Sequence, residues 1–306
     1  MGKTAVVFPG QGSQYVGMGK DFYEKFDKVK EIFDKADEAL GYSLTKIMFE
    51  GSEEEIKLTS NGQPALLTMS IGIWEILKDK IDVDYFAGHS LGEYSAVVAA
   101  GGLTFEEAVK AVHNRGKFMQ SAVPVGVGTM AAVMCAADKD ILDTCKEVSG
   151  AQVVEPANFN CPGQVVVAGH TEAVEEFCAK MKEKGAKRAM VLPVSAPFHC
   201  TLMKPAREEM AKYLKEETQI RDLNTPIFNN ADSKIENKAE DVYDALCRQI
   251  DGPVMWTELI RNMIEDGVDR FIEVGAGKVL TGLIKKIDKT VTVENISTVA
   301  DFEKGE

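Results

Sequence analysis

At 306 residues, 45% hydrophobic and 27% charged, the chain has globular composition and the length to bury roughly three quarters of its unfolded surface in one large domain, with or without an insert. A formal charge of -13 argues against a general nucleic-acid binder, because neutralising phosphates needs a face rich in Lys and Arg; an anionic substrate must meet its own basic pocket. No apolar run reaches the roughly 18 to 20 residues that span a bilayer, and the six cysteines (135, 145, 161, 178, 200, 247) form no CxxC pair and no Cys/His group at metal spacing, so a cytoplasmic protein with free thiols is expected.

The N-terminus runs straight into a strand at 4–8, Thr4-Ala5-Val6-Val7-Phe8, without the pattern of a secretory leader. A glycine-rich turn follows at Gly10-Gln11-Gly12-Ser13-Gln14, then helix-period segments at 26–40 and 64–77. A second strand, 83–87, ends in Gly88-His89-Ser90-Leu91-Gly92 and passes into an apolar segment at 96–100, which reads as strand, sharp turn and buried helix. From 127 to 195 the pattern changes to strand (129–135), helix (139–148), strand (152–156), strand (164–168), helix (173–182) and strand (188–194). This βαββαβ order is that of the split, ferredoxin-like unit. The α/β pattern resumes with a buried strand at 271–274, so the prediction is a discontinuous α/β domain over 1–126 and 196–306, interrupted by a small insert at 127–195 with hinges near 124–128 and 193–197. The charged tail at 301–306 reads as frayed.

Gly88-His89-Ser90-Leu91-Gly92 matches GxSxG, a strand-to-helix elbow that lifts a serine hydroxyl above a sheet. The flanking glycines permit the tight turn, and the N–H of Leu91 lies where the oxyanion of a tetrahedral intermediate would form. A glycine-flanked serine that merely caps a helix would read the same way. A nucleophilic serine needs a base, and the chain has four histidines. His89 adjoins the serine, so its side chain leaves the elbow in another direction; His113 sits in a helical segment and His170 follows a strand of the insert. His199 lies in the loop where the insert rejoins the main domain, and clefts form at such junctions, which makes it the candidate base against the alternative of a surface-loop histidine. Between 105 and 122, helical spacing places Arg115 on the apolar face of Ala108, Val112, Met119 and Ala122. A buried guanidinium needs an anion: either an internal acid, or a substrate carboxylate gripped bidentately.

Taken in order, Gly10 to Gln14, Gln63-Pro64-Ala65, the run Gly88-His89-Ser90-Leu91-Gly92-Glu93-Tyr94-Ser95-Ala96, Arg115 to Gln120, Asn158 to Gln164, Phe198-His199, Met203 to Ala206 and Glu273-Val274-Gly275 resemble the malonyl-CoA:acyl-carrier-protein transacylases of bacterial fatty acid synthesis over essentially the whole chain. The resemblance implies an α/β-hydrolase-like core with a parallel sheet and a ferredoxin-like insert. It also implies Ser90 as nucleophile, His199 as base and Arg115 as clamp on the malonyl carboxylate, with Gln11 and the Leu91 amide as the oxyanion hole. Gln249 matches a residue whose backbone carbonyl orients the histidine, giving a Ser–His dyad without an acidic third member. Gln63, Asn160 and Phe198 match positions around the substrate.

In related polyketide acyltransferases a Phe immediately before the histidine goes with malonyl, whereas many bacterial fatty-acid enzymes carry Ser there; Phe198 therefore opens a role in trans for a polyketide synthase. The implied cycle is ping-pong, from malonyl-CoA to an ester on Ser90 and then to the phosphopantetheine thiol of acyl carrier protein, with no metal or bound cofactor. For an acidic carrier, Lys182, Lys184, Lys187 and Lys286 are candidate contacts by charge density, with a plain solvated face as the alternative. An esterase is the rival reading of GxSxG with histidine, and a non-catalytic scaffold the more distant one.

Overall fold

Strand β1 (Lys3–Phe8) shows how the core is built. Its side chains alternate between two hydrophobic clusters: Val6 and Phe8 enter the larger one, Ala5 and Val7 the smaller. A strand apolar on both faces must be covered on both, as in parallel sheets layered between helices. The computed structural model describes residues 2–134, 136–194 and 196–304. Cys135, the expected end of one strand, and Ser195, within an expected hinge, lie outside the described residues.

After β1 come α1 (Lys20–Lys25), α2 (Asp27–Leu40), α3 (Leu44–Glu50), α4 (Glu53–Lys57) and α5 (Thr59–Leu77), then β2 (Tyr85–Gly88), α6 (Gly92–Ala99) and α7 (Phe105–Ser121). Next are β3 (Gly128–Met134), α8 (Asp138–Val148), β4 (Val154–Cys161), β5 (Gln164–His170), α9 (Thr171–Glu183) and β6 (Arg188–Val191). A 3-10 turn (Thr201–Met203) leads to α10 (Lys204–Glu217), β7 (Ile227–Phe228), β8 (Ile235–Glu236), α11 (Ala239–Asp251), α12 (Trp256–Glu265), β9 (Val268–Val274), α13 (Val279–Ile287), β10 (Thr292–Ile296) and α14 (Val299–Lys304).

One sheet runs β10-β9-β1-β2-β7-β8, parallel except for the β7–β8 pair. The other runs β4-β5-β3-β6, with every pair antiparallel. The two are joined where Asn158 of β4 bridges to Val254, flanked by Phe159 N–H to Val254 O and Val254 N–H to Ala157 O at 2.9 and 2.8 Å. Asn158, at that seam, lines the cleft described below.

Three expectations shift, each for a local reason. Helix α5 begins at Thr59 instead of Pro64, so proline lies inside it. A helical proline deprives the carbonyl four residues back of its donor; here that carbonyl, Ser60 O, accepts from His113 Nδ1 at 2.8 Å, which gives His113 its structural role. Strand β4 runs on to Cys161, beyond the expected 156, because register shifts at 156/158 and 159/161 let the Asn158-Phe159-Asn160 segment stay paired with β5. The tail is not frayed as expected through 304: α14 packs Phe302, 5% exposed, edge-on to Phe22 and Phe26 with centroids 6.4 and 5.4 Å away. The expected remainder, 305–306, lies outside the described residues. Glu273, at the end of β9, caps α13 by accepting from the Leu280 and Thr281 N–H groups at 3.0 and 2.8 Å, a structural use of that motif.

Candidate active site

The elbow between β2 and α6 is forced by close backbone packing. A Cβ on Gly88 would sit 1.9 Å from the Gly92 carbonyl carbon, and one on Gly92 would sit 2.1 Å from Phe8 O of β1. Ser90, between them, is held at φ 52°, a left-handed conformation that a serine adopts only when its surroundings impose it. Asn230, just beyond β7, locks the turn: its Oδ1 accepts from the Ser90 N–H at 2.6 Å and its Nδ2 donates to Gly88 O at 2.7 Å.

Ser90 Oγ donates to His199 Nε2 at 2.7 Å. His199 Nδ1 faces the backbone carbonyl of Gln249 at 2.7 Å, so the ring proton sits on Nδ1 and Nε2 is free to accept. Burial first, and the Arg115 charge second, push His199 down to about 3, which keeps the ring neutral at physiological pH, with Nε2 unprotonated and able to accept. His199 is itself at φ 61°, a second imposed left-handed residue.

Arg115 is 1% exposed. Nη1 donates to Gln63 Oε1 at 2.8 Å, and Nη2 donates to Gln249 Oε1 at 2.6 Å and to Ser90 Oγ at 3.2 Å. Its Nε has no hydrogen-bond partner, and the guanidinium carbon lies 5.6 Å from the centre of the Tyr94 ring. Among the described residues it makes no salt bridge. The alternative of a direct internal ion pair is therefore not realised; amides hold the cation beside Ser90 Oγ.

Ser90, His199 and Arg115 meet in a cleft of about 900 Å³, open between the elbow and the small sheet. Gln11 reaches it from the turn after β1, its Nε2 donating to Thr59 Oγ1 at 3.4 Å. Asn160 lines the opposite wall, its Oδ1 bonded to His89 Nε2 at 2.8 Å, and Phe198 lies beside His199. His89 does turn away from Ser90, toward Asn160 and the Trp256 ring 5.6 Å off. Leu91, Gln63 and Gln249 are buried beneath the cleft: Leu91 opens α6, Gln63 backs the guanidinium, and Gln249 joins Arg115 and His199. His170 belongs to the small sheet, where its Nδ1 accepts from Val153 N–H at 2.9 Å. Of the four lysines considered for a carrier, Lys184 is paired to Glu147 at 2.7 Å.

The acyl transferase domain profile matches residues 5–303. The chain belongs to the acyl transferase family. This acyl transferase is 46% identical over 306 residues to the malonyl CoA-acyl carrier protein transacylase of Bacillus subtilis (strain 168), a match covering 98% of this chain and 96% of that one. It is similar to the crystal structure of an acyl carrier protein S-malonyltransferase from Vibrio cholerae, with a TM-score of 0.97, 46% identity, and coverage of 99% of this chain and 100% of that one. It is also similar to a malonyl-transacylase solved in complex with a type II polyketide synthase acyl-carrier protein, with a TM-score of 0.96, 44% identity, and coverage of 99% and 98%.

Two residues of the acyl transferase site escape a reading by motif. Asn230 follows a two-residue strand too short to register as periodicity. Glu93 stands within the quoted elbow run, and its only sequence signal is a carboxylate in the otherwise apolar and small-residue helix α6. Cys200, next to His199, is 1% exposed and pushed up to about 12 by burial, so it is a packed thiol with no thiolate character. Among the described residues no group of three or more His, Cys, Asp or Glu side chains could hold a metal, and no helix is long and apolar enough to cross a membrane.

The depressed His199 carries a stability signature. An unfolded histidine gains its proton near the ordinary 6.5, the folded one only near 3. Between those values the unfolded state binds more protons, so stability present above 6.5 is lost as pH falls. Relative to a folded His199→Gln variant, the wild type should lose about 1.4 kcal/mol per pH unit below that point, within the window in which both stay native. Chemical denaturation of both proteins at a series of pH values measures it; parallel curves would mean the buried ring is not held neutral.

Proposed function

We propose that this acyl transferase moves a malonyl group from coenzyme A to the phosphopantetheine thiol of acyl carrier protein through an ester on Ser90. The observation that carries the reading is the buried Arg115 guanidinium, 3.2 Å from Ser90 Oγ and joined to no acid by a salt bridge among the described residues. A cation placed there suits a donor with a carboxylate at the far end of its acyl group.

Malonyl-CoA binds with its carboxylate on Arg115 and its thioester carbonyl toward the Leu91 N–H and Gln11, the proposed oxyanion donors. His199 takes the Ser90 proton as Oγ attacks, and the resulting imidazolium is stabilised by the Gln249 carbonyl on Nδ1. The same ring then protonates the departing thiolate of coenzyme A. In the second half-reaction His199 deprotonates the carrier thiol, which attacks the malonyl ester; the proton returns to Ser90 Oγ on collapse. Asn160 and Phe198 shape the acyl-donor side, and Gln63 holds the clamp from behind. The reading needs neither metal nor bound cofactor and sets the reaction in the cytoplasm.

The finer fold assignment is an α/β-hydrolase-like core with a ferredoxin-like insert, divided as 1–126 plus 196–306 and 127–195. Its support is the mostly parallel sheet carrying the elbow, and the small sheet's β4-β5-β3-β6 order. Carrier docking at Lys182, Lys187 or Lys286 is part of the reading only as surface charge near that insert.

Phe198, together with the similarity to a malonyl-transacylase bound to a polyketide carrier, favours a second setting for the same chemistry: supply of malonyl to a polyketide synthase in trans. An esterase is disfavoured because its substrates seldom require a buried cation beside the nucleophile. Intact-mass analysis after mixing with malonyl-CoA, acetyl-CoA and methylmalonyl-CoA tests the assignment. A malonyl adduct that is stable to water and discharged by holo-carrier is expected; adduct hydrolysis as fast as its formation would make the protein a hydrolase.

A further inference from the structure

We infer that Glu93 is a positioning residue for malonyl transfer, which through the Gln249 side chain holds the Arg115 guanidinium beside Ser90 and supplies its counter-charge from behind. The inference rests on the reading above.

Glu93 lies on the first turn of α6 and is 0% exposed. Its Oε2 accepts from Gln249 Nε2 at 2.6 Å and from the Asn230 backbone N–H at 3.2 Å, while Oε1 has no hydrogen-bond partner. Both partners act on the elbow. Gln249 donates to Ser90 O at 2.9 Å, offers Oε1 to Arg115, and offers its backbone carbonyl to His199. Asn230 clasps Ser90 N–H and Gly88 O.

The direction of these bonds explains the residue type. Gln249 can present its oxygen to Arg115 only if its NH2 group has acceptors on the other side, and Glu93 Oε2 and Ser90 O are those acceptors. A carboxylate accepts without offering a competing N–H, so it fixes the amide in one of its two orientations. Burying that carboxylate opposes its charge: burial pushes Glu93 up to about 7, with Glu236 adding to the rise, while the Gln249 and Asn230 hydrogen bonds and the Arg115 charge pull it back. The burial is offset in part because the opposite charge is one amide away. In the absence of substrate the guanidinium therefore has an acid one amide behind it, while it also lines the cleft beside Ser90 Oγ where a carboxylate would arrive.

The test is the acylation half-reaction, read as kcat/KM for malonyl-CoA and acetyl-CoA, in wild type, Glu93→Gln, Gln249→Ala and the double variant, each checked for folding by thermal melt. Glu93→Gln keeps size and an acceptor and removes the charge. Its malonyl value should fall by about tenfold more than its acetyl value, in the mid-range for coupled residues of one network, and chiefly through KM. In the Gln249→Ala background most of that malonyl-specific loss should vanish, because the relay is gone. Equal losses for the two donors, or a malonyl-specific loss undiminished without Gln249, would overturn the assignment. If Glu93→Gln does not fold, Glu93→Asp, which keeps the charge and withdraws it by one methylene, should show a smaller loss with the same malonyl bias; no bias overturns it equally. Wild type failing to form a malonyl adduct would instead defeat the acyl-transfer reading, whatever the variants do.

Discussion

Ser90→Ala should eliminate both the covalent malonyl adduct and transfer to the carrier. The hydroxyl it removes is the one whose proton His199 Nε2 is placed to take, at 2.7 Å, and no second nucleophile stands in its place: Cys200 is a buried thiol pushed up to about 12. Loss of the nucleophile from a serine–histidine site costs roughly 10⁶-fold in turnover, which leaves only background transfer. The fold should survive, because alanine keeps the Asn230 to Ser90 N–H bond that locks the turn and faces the same left-handed constraint as serine. Intact mass after incubation with malonyl-CoA is the readout, with circular dichroism as the check on folding. A full-strength adduct on the alanine variant would end the assignment.

Arg115→Ala should change which acyl group the protein accepts. Removing the guanidinium leaves a malonyl carboxylate unpaired in a desolvated pocket, at a cost on the order of 2 to 5 kcal/mol, or about 30-fold to several thousandfold in kcat/KM. Acetyl-CoA brings no carboxylate. For it the variant pocket should serve as well as before, and better if neutralising the cleft relieves the Arg115 charge that helps push His199 down. The malonyl-to-acetyl ratio should therefore shrink sharply or invert. Arg115→Lys should recover part of the malonyl rate, since an ammonium keeps the charge but cannot span Gln63 and Gln249 together while presenting a fork to the substrate. The measurement is kcat/KM for both donors in the three proteins, with melts to confirm folding, because truncation orphans the Gln63 and Gln249 oxygens. Parallel losses for the two donors would assign Arg115 a structural role alone.

The parts of this site that could be read from letters are those held by local rules. Gly88 and Gly92 mark a turn that no larger residue permits, so Ser90 is visible from its neighbours. Arg115 is visible because helical spacing carries it onto the face of Ala108, Val112 and Met119. His199 required more: only its expected place where the insert rejoins the main domain, and then the resemblance, separated it from three other histidines. The element edges that moved did so through distant partners. Helix α5 could start five residues before Pro64 because His113, far along the chain, satisfies the Ser60 carbonyl.

What the sequence by itself determined is therefore the α/β pattern, the elbow with Ser90 at its apex, and the buried Arg115 cation, since periodicity and glycine sterics act within a few residues of chain. What only the tertiary structure decided is how that cation is kept without a salt-bridged acid among the described residues. Gln249 lies 134 residues from Arg115 and 159 from Ser90, and Asn230 lies 140 from Ser90. Hydrogen bonds across such separations leave no periodic trace, because they depend on where β7 and α11 pack against α6, and a buried amide is read as functional only once its partners are in place.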